Sequence, residues 1–195
     1  MKKVFLIGGG GHCRACIDVI ESEGKFEIAG IFDLEENLGK KILNYQIIGT
    51  DNDIEKFVKN DHYFLITIGQ IKNPHPRNEK FKYLKSASAQ LATVISPRAY
   101  VSRYSQIGEG SIVMHDALIN ANVHVGNNCI INSKSLIEHD AVIEDGCHIS
   151  TGAIVNGGGL VKNLSFVGSQ SVLEEGAVVP ENGIVSAGFF YRRSR

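Results

Sequence analysis

From Ile95 to Val185 the chain repeats with a period of six. Branched aliphatic residues stand at Ile95, Val101, Ile107, Val113, Ile119, Val125, Ile131 and Ile137, and on through Val155 and Leu173 to Val185, without an insertion. Four places after almost every one comes a small side chain, from Ala99, Ser105 and Ser111 to Ala177 and Gly183. A helix would return its apolar positions every ~3.6 residues and a half-buried strand every two, so neither explains a strict six. A hexapeptide β-helix does: each hexad is a short strand and a corner, and three hexads make one triangular coil. The aliphatic residue fills the prism and the small one fits the corner.

Residues 18 apart then stack in neighbouring coils, about 4.8 Å apart. Cys129 and Cys147 form such a pair, and small inward residues of this kind are expected to be packing rather than a disulfide. The residue before each aliphatic position points outward. On one face these are Tyr100, Leu118, Leu136, Ile154 and Val172, whereas the next face begins with Gln106 and His124. A contiguous apolar stripe needs a cover. A preceding domain attached at one end cannot cover five coils, so closure with other copies, most simply as a homotrimer, is expected.

Residues 1–90 alternate differently. "KKVFLIG", "FEIAGIFD" and "YFLITIG" read as strands, and "CRACIDVIESEG", "DNDIEKFVKN" and "NEKFKYLKSAS" as helices. That alternation predicts a short Rossmann-like parallel sheet with helices on its faces. The "GGGGH" turn between the first strand and first helix sets free N–H groups at a helix N-terminus, which suits a phosphate. Gly8 and Gly10 open the dinucleotide fingerprint, but Cys13 holds the third glycine's place. The domain is also too short for two mononucleotide halves, so one nucleotide is expected rather than NAD, with Asp33 placed to reach a ribose. The "CRAC" cysteines lack a thioredoxin context and are expected to pack.

Composition narrows the partners. The 195 residues are 43% hydrophobic and 21% charged, with a formal net charge of −1. That balance gives no reason to expect nucleic acid or an anionic membrane surface. No apolar run approaches the ~18 residues of a membrane span, and "MKKVFLIGGGGH" has no signal-peptide cleavage region, so a cytoplasmic protein is expected.

Candidate chemistry gathers in "INSKSLIEHD". His139 falls two places after inward Ile137 and so projects from a corner beside the apolar stripe. Glu138, Asp140 and Asn132 are its expected neighbours, and Gly157 stacks over it. A histidine is the natural base near neutral pH, and an adjacent carboxylate raises its basicity. Gly157 would let a substrate approach the backbone and offer an N–H to an oxyanion. A zinc site is the rival. His115 and His124, like His139 and His148, are nine apart, which puts each pair on different faces, and no metal is expected.

A "GGGGH" nucleotide-binding-like domain followed by hexads containing "INSKSLIEHD" resembles the bacterial sugar acyltransferases of surface-glycan biosynthesis. These include UDP-4-amino-sugar N-acetyltransferases and sialic acid O-acetyltransferases. The resemblance spans nearly the whole chain. It implies an α/β domain over residues 1–90 and an all-β left-handed parallel β-helix over 91–195. It implies His139 as general base, Asp140 tuning it and Asn132 placing the acceptor. Gly10, Gly11, His12, Asp33 and Gly69 match positions holding a UDP-sugar, and His148, Ser169 and Ala187 match positions lining an acetyl-CoA groove. The expected reaction is direct acetyl transfer to the C4 amine of a UDP-linked amino-deoxy sugar. O-acetylation of a sialic-acid-like sugar, or a non-catalytic nucleotide-sugar-binding scaffold, are the alternatives. Two departures stand out: Gly69-Gln70 with "IKNPHPR" after the third strand, and an ending of "SAGFFYRRSR" in place of a closing coil. The groove for coenzyme A is therefore expected to be shorter, or to be rebuilt by Phe189, Phe190 and the arginines.

Overall fold

The structure is a computed structural model that describes residues 1–58 and 62–193. Its first part is a parallel sheet. Strand β1 (Lys2–Ile7) leads through the glycine turn into α1 (Gly11–Glu23), then β2 (Phe26–Phe32), β3 (Lys41–Ile42), β4 (Tyr45–Gly49), α2 (Glu55–Val58), β5 (Tyr63–Ile66), α3 (His75–Ser86) and β6 (Gln90–Leu91). The strand order is β3-β4-β2-β1-β5-β6, with only β3 antiparallel to its neighbour. Helix α1 ends where expected. Gly24 takes φ 69° and its N–H caps the Ile20 carbonyl, a conformation that a glycine reaches at little cost.

Several elements differ from the sequence reading. "DNDIEKFVKN" forms a 3₁₀ turn at Asp51–Asp53 and a single helical turn, and its Lys59 and Asn60 lie outside the described residues. A capping box between Thr50 and Asp53 opens the segment, with the Thr50 N–H donating to Asp53 Oδ2 at 3.0 Å. The hairpin of β3 and β4 was not foreseen, because "KILNYQIIG" offers only two residues on its first arm. Helix α3 also starts earlier than "NEKFKYLKSAS", at His75, with Pro74 and Pro76 flanking its first residue.

From Val94 onward every hexad supplies one two-residue strand, and each pairs in parallel with the strand 18 residues on, as Leu136 does with Ile154. Three flat faces result. The seam face carries Val94, Ile112, Ile130, His148, Phe166 and Ile184 outward. The apolar face carries Tyr100, Leu118, Leu136, Ile154, Val172 and Phe190. The third carries Gln106, His124, Val142, Leu160 and Val178. The inward aliphatics from Val113 to Val185 and small corner residues such as Ala117, Cys129, Ala141 and Cys147 form one buried core. From Gly110 onward each turn also holds a residue at positive φ three places after the aliphatic, among them Asp116, Asn122, Asn128 and Asp140. Asparagine, aspartate and glycine tolerate that left-handed corner best, which explains their recurrence. All four cysteines are free and buried, and burial pushes the Cys13 thiol up to about 11 and Cys129 up to about 12.

The sheet domain covers the seam face only. Cys16, Ile17 and Ile20 of α1 share a buried cluster with Val94, Ile112 and Ile130. Asp18 accepts from His115 at 2.8 Å, and Glu23 accepts the Ile95 N–H at 3.1 Å. The apolar face stays open, with Tyr100 60% and Leu118 36% exposed. At the far end, the hexad's small and aliphatic positions become Phe189 and Tyr191. Tyr191 packs on the core and its hydroxyl donates to the Val178 carbonyl at 3.2 Å. The prism is therefore closed by an aromatic plug where the sequence reading noted a missing coil.

Candidate active site

The apolar face is bounded by two corners, and the polar residues singled out above divide between them. The first corner holds His139. Its Nδ1 donates to Asp140 Oδ2 at 2.8 Å, and Asp140 Oδ1 accepts from Asn122 Nδ2 of the preceding coil at 2.7 Å. The hydrogen bond to Asp140, with smaller contributions from Glu138 and Glu175, pushes His139 above the ordinary histidine range. Asp140 is held below the carboxylate range by Asn122 first and His139 second. With Nδ1 committed, Nε2 carries the free lone pair.

Nε2 lies over Gly157. A Cβ there would come within 3.0 Å of Nε2 and 2.9 Å of Cε1, so a side chain would displace the ring. The Gly157 carbonyl accepts from Gly176, while its N–H has no acceptor among the described residues. A cleft of about 580 Å³ opens here, lined by His139, Asp140, Gly157, Gly158, Glu174, Glu175, Gly176 and Arg193. Arg193 lies against Gly176 and its N–H is held by Glu174 at 2.7 Å. The sequence reading gave the terminal arginines this end of the molecule; Arg195 lies outside the described residues.

The second corner holds Asn132, Ser169 and Ala187, with His148 at its edge. Asn132 was expected beside His139, but in one chain it sits across the apolar face, donating to His148 Nε2 at 3.1 Å. His148 is 6% exposed. Its Nδ1 donates to the Gln70 carbonyl at 2.5 Å, and its ring meets Phe166 edge-on. Burial, opposed by the Gln70 bond and helped by Arg77, drives its pKa down to about 4. Ser169 shares a hydrogen bond with Ser150 at 2.9 Å, and Ala187 is exposed.

The nucleotide candidates converge at the C-terminal edge of the sheet. Gly10 caps α1, and a Cβ at Gly10 or Gly11 would meet nothing, so the turn has open space beside it. Asp33 lies over Gly9, accepting from the Leu34 N–H at 2.8 Å and Asn37 at 3.2 Å. His12 packs on Gly69 and its Nε2 is enclosed without a partner. Burial, then Arg77 and His148, lower its pKa to about 3.

Two residues at the seam were missed. Arg77, 1% exposed, donates to the Ile66 and Ile68 carbonyls of the sheet and the Asn128 carbonyl of the coil. Gln70 crosses to the coil through its carbonyl on His148 and its amide on Leu164. Both lie in the stretch flagged only as a departure, and neither spacing nor residue type signals such a role. Among the described residues no group of three or more His, Cys, Asp or Glu is gathered to hold a metal. His115 is instead engaged by Asp18 and Ser96. No helix among them is long and apolar enough to cross a membrane.

Comparison with known proteins bears on the fold and on the class of protein. Residues 3–84 match the PglD N-terminal domain, and residues 104–139 match the bacterial transferase hexapeptide (six repeats). No curated protein sequence matches. Among solved structures, perosamine N-acetyltransferase from Caulobacter crescentus, a histidine variant bound to CoA and GDP-perosamine, superposes with a TM-score of 0.89 at 25% identity. That match covers 100% of this chain and 92% of the other. The acetyltransferase domain of PglB from Neisseria gonorrhoeae, bound to acetyl coenzyme A, matches in fold with a TM-score of 0.88 at 22% identity, covering 98% and 92%. WeeI from Acinetobacter baumannii gives 0.75 at 20%, covering 96% and 95%. Fold, repeat and neighbours together define the chain as a sugar acyltransferase of the left-handed β-helix class.

Proposed function

We propose that this enzyme transfers an acetyl group from acetyl-CoA directly to the C4 amine of a UDP-linked amino-deoxy sugar. The observation that carries the reading is the His139–Asp140 pair, with a free Nε2 lying over the unpaired Gly157 N–H at the floor of a cleft. His139 Nε2 takes the proton from the amine as its nitrogen attacks the thioester carbonyl, and the Gly157 N–H steadies the oxygen that gains charge. Collapse breaks the carbon–sulfur bond, and the imidazolium returns its proton to the departing thiolate. No cysteine lines the cleft, so no acyl-enzyme is expected.

The two corners belong to one site only when copies assemble. Three prisms packed around a three-fold axis through their apolar faces bring one end of each face beside the opposite end of the next. His139 of one copy then meets Asn132, Ser169 and Ala187 of its neighbour, which is where the coenzyme would lie. The glycine turn, His12, Asp33 and Gly69 would hold the nucleotide.

The GDP-perosamine bound by the Caulobacter enzyme supports a second reading, a guanosine nucleotide in place of the uridine one. Thiol release from acetyl-CoA, measured with UDP- and GDP-linked 4-amino sugars and their 4-hydroxy counterparts, tests both. Release with a UDP-amino sugar alone supports the first reading. Release with the GDP sugar moves the base assignment, and release with none of them overturns the function.

A further inference from the structure

Asn122 occupies the left-handed corner of its coil, at φ 60°, and the simplest account of it is conformational. Asn128 shows what that account looks like. It takes φ 54° at the next corner, and its side-chain oxygen and nitrogen are buried without a partner. Asn122 differs in what its side chain does. Its amide donates to Asp140 Oδ1 at 2.7 Å, and that leaves Oδ2 turned to His139 Nδ1 at 2.8 Å. Asn122 and Asp140 occupy the same corner of successive coils, so the rigid stacking of the β-helix sets their separation.

We propose that Asn122 is a positioning residue of the acetyl-transfer reaction, clamping the Asp140 carboxylate so that it orients His139 and fixes its tautomer. The inference rests on the reading of His139 as the base. Asp140 and His139 are both well exposed, with 56% and 59% of their side chains open. An exposed carboxylate rotates freely, and an unrestrained pair of this kind has little preference for one geometry. The amide of Asn122 removes that freedom from one oxygen and leaves the other for the imidazole. Glu138 and Glu175 also face His139, and Arg193 lines the same cleft, but Glu138 is itself held by Asn120 at 2.7 Å. None of these three bonds Asp140.

The test uses glycine, which keeps the left-handed corner without strain. Asn122→Gly in the full-length protein is expected to lower kcat by about tenfold with KM for acetyl-CoA unchanged. The acidic limb of its pH–rate profile should move to lower pH, because His139 loses a steadily held carboxylate. Asp140→Gly supplies the second arm. If Asn122 acts through Asp140, adding Asn122→Gly to Asp140→Gly changes nothing further. An unmoved or upward-moving limb, a raised KM, or additive losses in the double variant would overturn the proposal. Undiminished turnover by His139→Ala would instead remove the underlying reading, whatever Asn122→Gly does.

Discussion

His139 and His148 stand nine residues apart in one uninterrupted register, yet their surroundings push the two imidazoles in opposite directions. At the open corner, a carboxylate bound to Nδ1 makes His139 more basic. At the seam, burial, with Arg77 nearby, keeps His148 neutral down to about 4. The fold thus offers a proton acceptor at one end of the apolar face. At the other end stands a fixed neutral ring, whose Nδ1–H is spent on Gln70 and whose Nε2 accepts from Asn132. The position of a residue in the hexad decides which side of the prism it occupies, but what covers that side decides its chemistry. Only the seam face has a domain on it, and it is there that the coil's own histidine, His148, is desolvated.

The sharpest way to break this contrast is to remove the basic member. His139→Ala is expected to lower turnover by roughly 10² to 10⁴, the usual worth of a positioned proton acceptor. Its melting temperature should hardly change, because the ring fills no part of the prism. Thiol-release kinetics beside a thermal melt check both halves. Next in size is Leu136→Glu, which sets a charge in the middle of the apolar face. Burying an unpaired carboxylate between copies is unfavourable, so light scattering at micromolar concentration should show dissociation, with activity falling in step.

Asp140→Asn sharpens the comparison rather than breaking it. His139 loses the carboxylate that raises its pKa, so the acidic limb of the pH–rate profile should move to lower pH. The sign follows from the base being active only when neutral: a lower pKa frees it at lower pH, while the weaker base costs a few-fold on the plateau. A limb that stays in place would mean that Asp140 does not set His139's basicity. Smallest is the nucleotide effect. Saturation by a UDP- or GDP-sugar should raise the melting point, by about 2.7 kcal/mol of linkage at a hundred times Kd, whereas NAD should not. Asp33→Ala should diminish that shift and leave the coil domain unaltered.

The two domains were legible to very different depths. In the coil, a single rule of six places every side chain inward, outward or at a corner, so His139, Gly157 and the stripe from Tyr100 to Val172 could be located from spacing alone. The same rule stacks Asn122 beneath Asp140, a signal that was present and unused. In the sheet domain, patterning found β1, α1, β2, β5 and α3 but not β3, β4 or β6; β3 and β6 are two-residue strands whose pairing depends on a neighbour. Interdomain contacts had no sequence signature. Arg77 gains its role from the carbonyls of Ile66, at the end of β5, and of Asn128, 51 positions away, and Gln70 from the His148 ring and the Leu164 carbonyl, 78 and 94 positions away. Asn132 was placed beside His139 because both lie in one motif, although a full face of the prism separates them.

That separation makes the most direct test a mixing experiment. His139→Ala removes the base from one corner, and Ser169→Trp blocks the other, at an outward hexad position of the kind that carries His139 and Arg103. Each variant alone should be nearly inactive. Unfolded together and reassembled in equal amounts, they should recover about a quarter of wild-type turnover, since random closure of a ring pairs an intact corner with an intact corner at one interface in four. A mixture no more active than the sum of its parts would show that the two corners do not meet across copies.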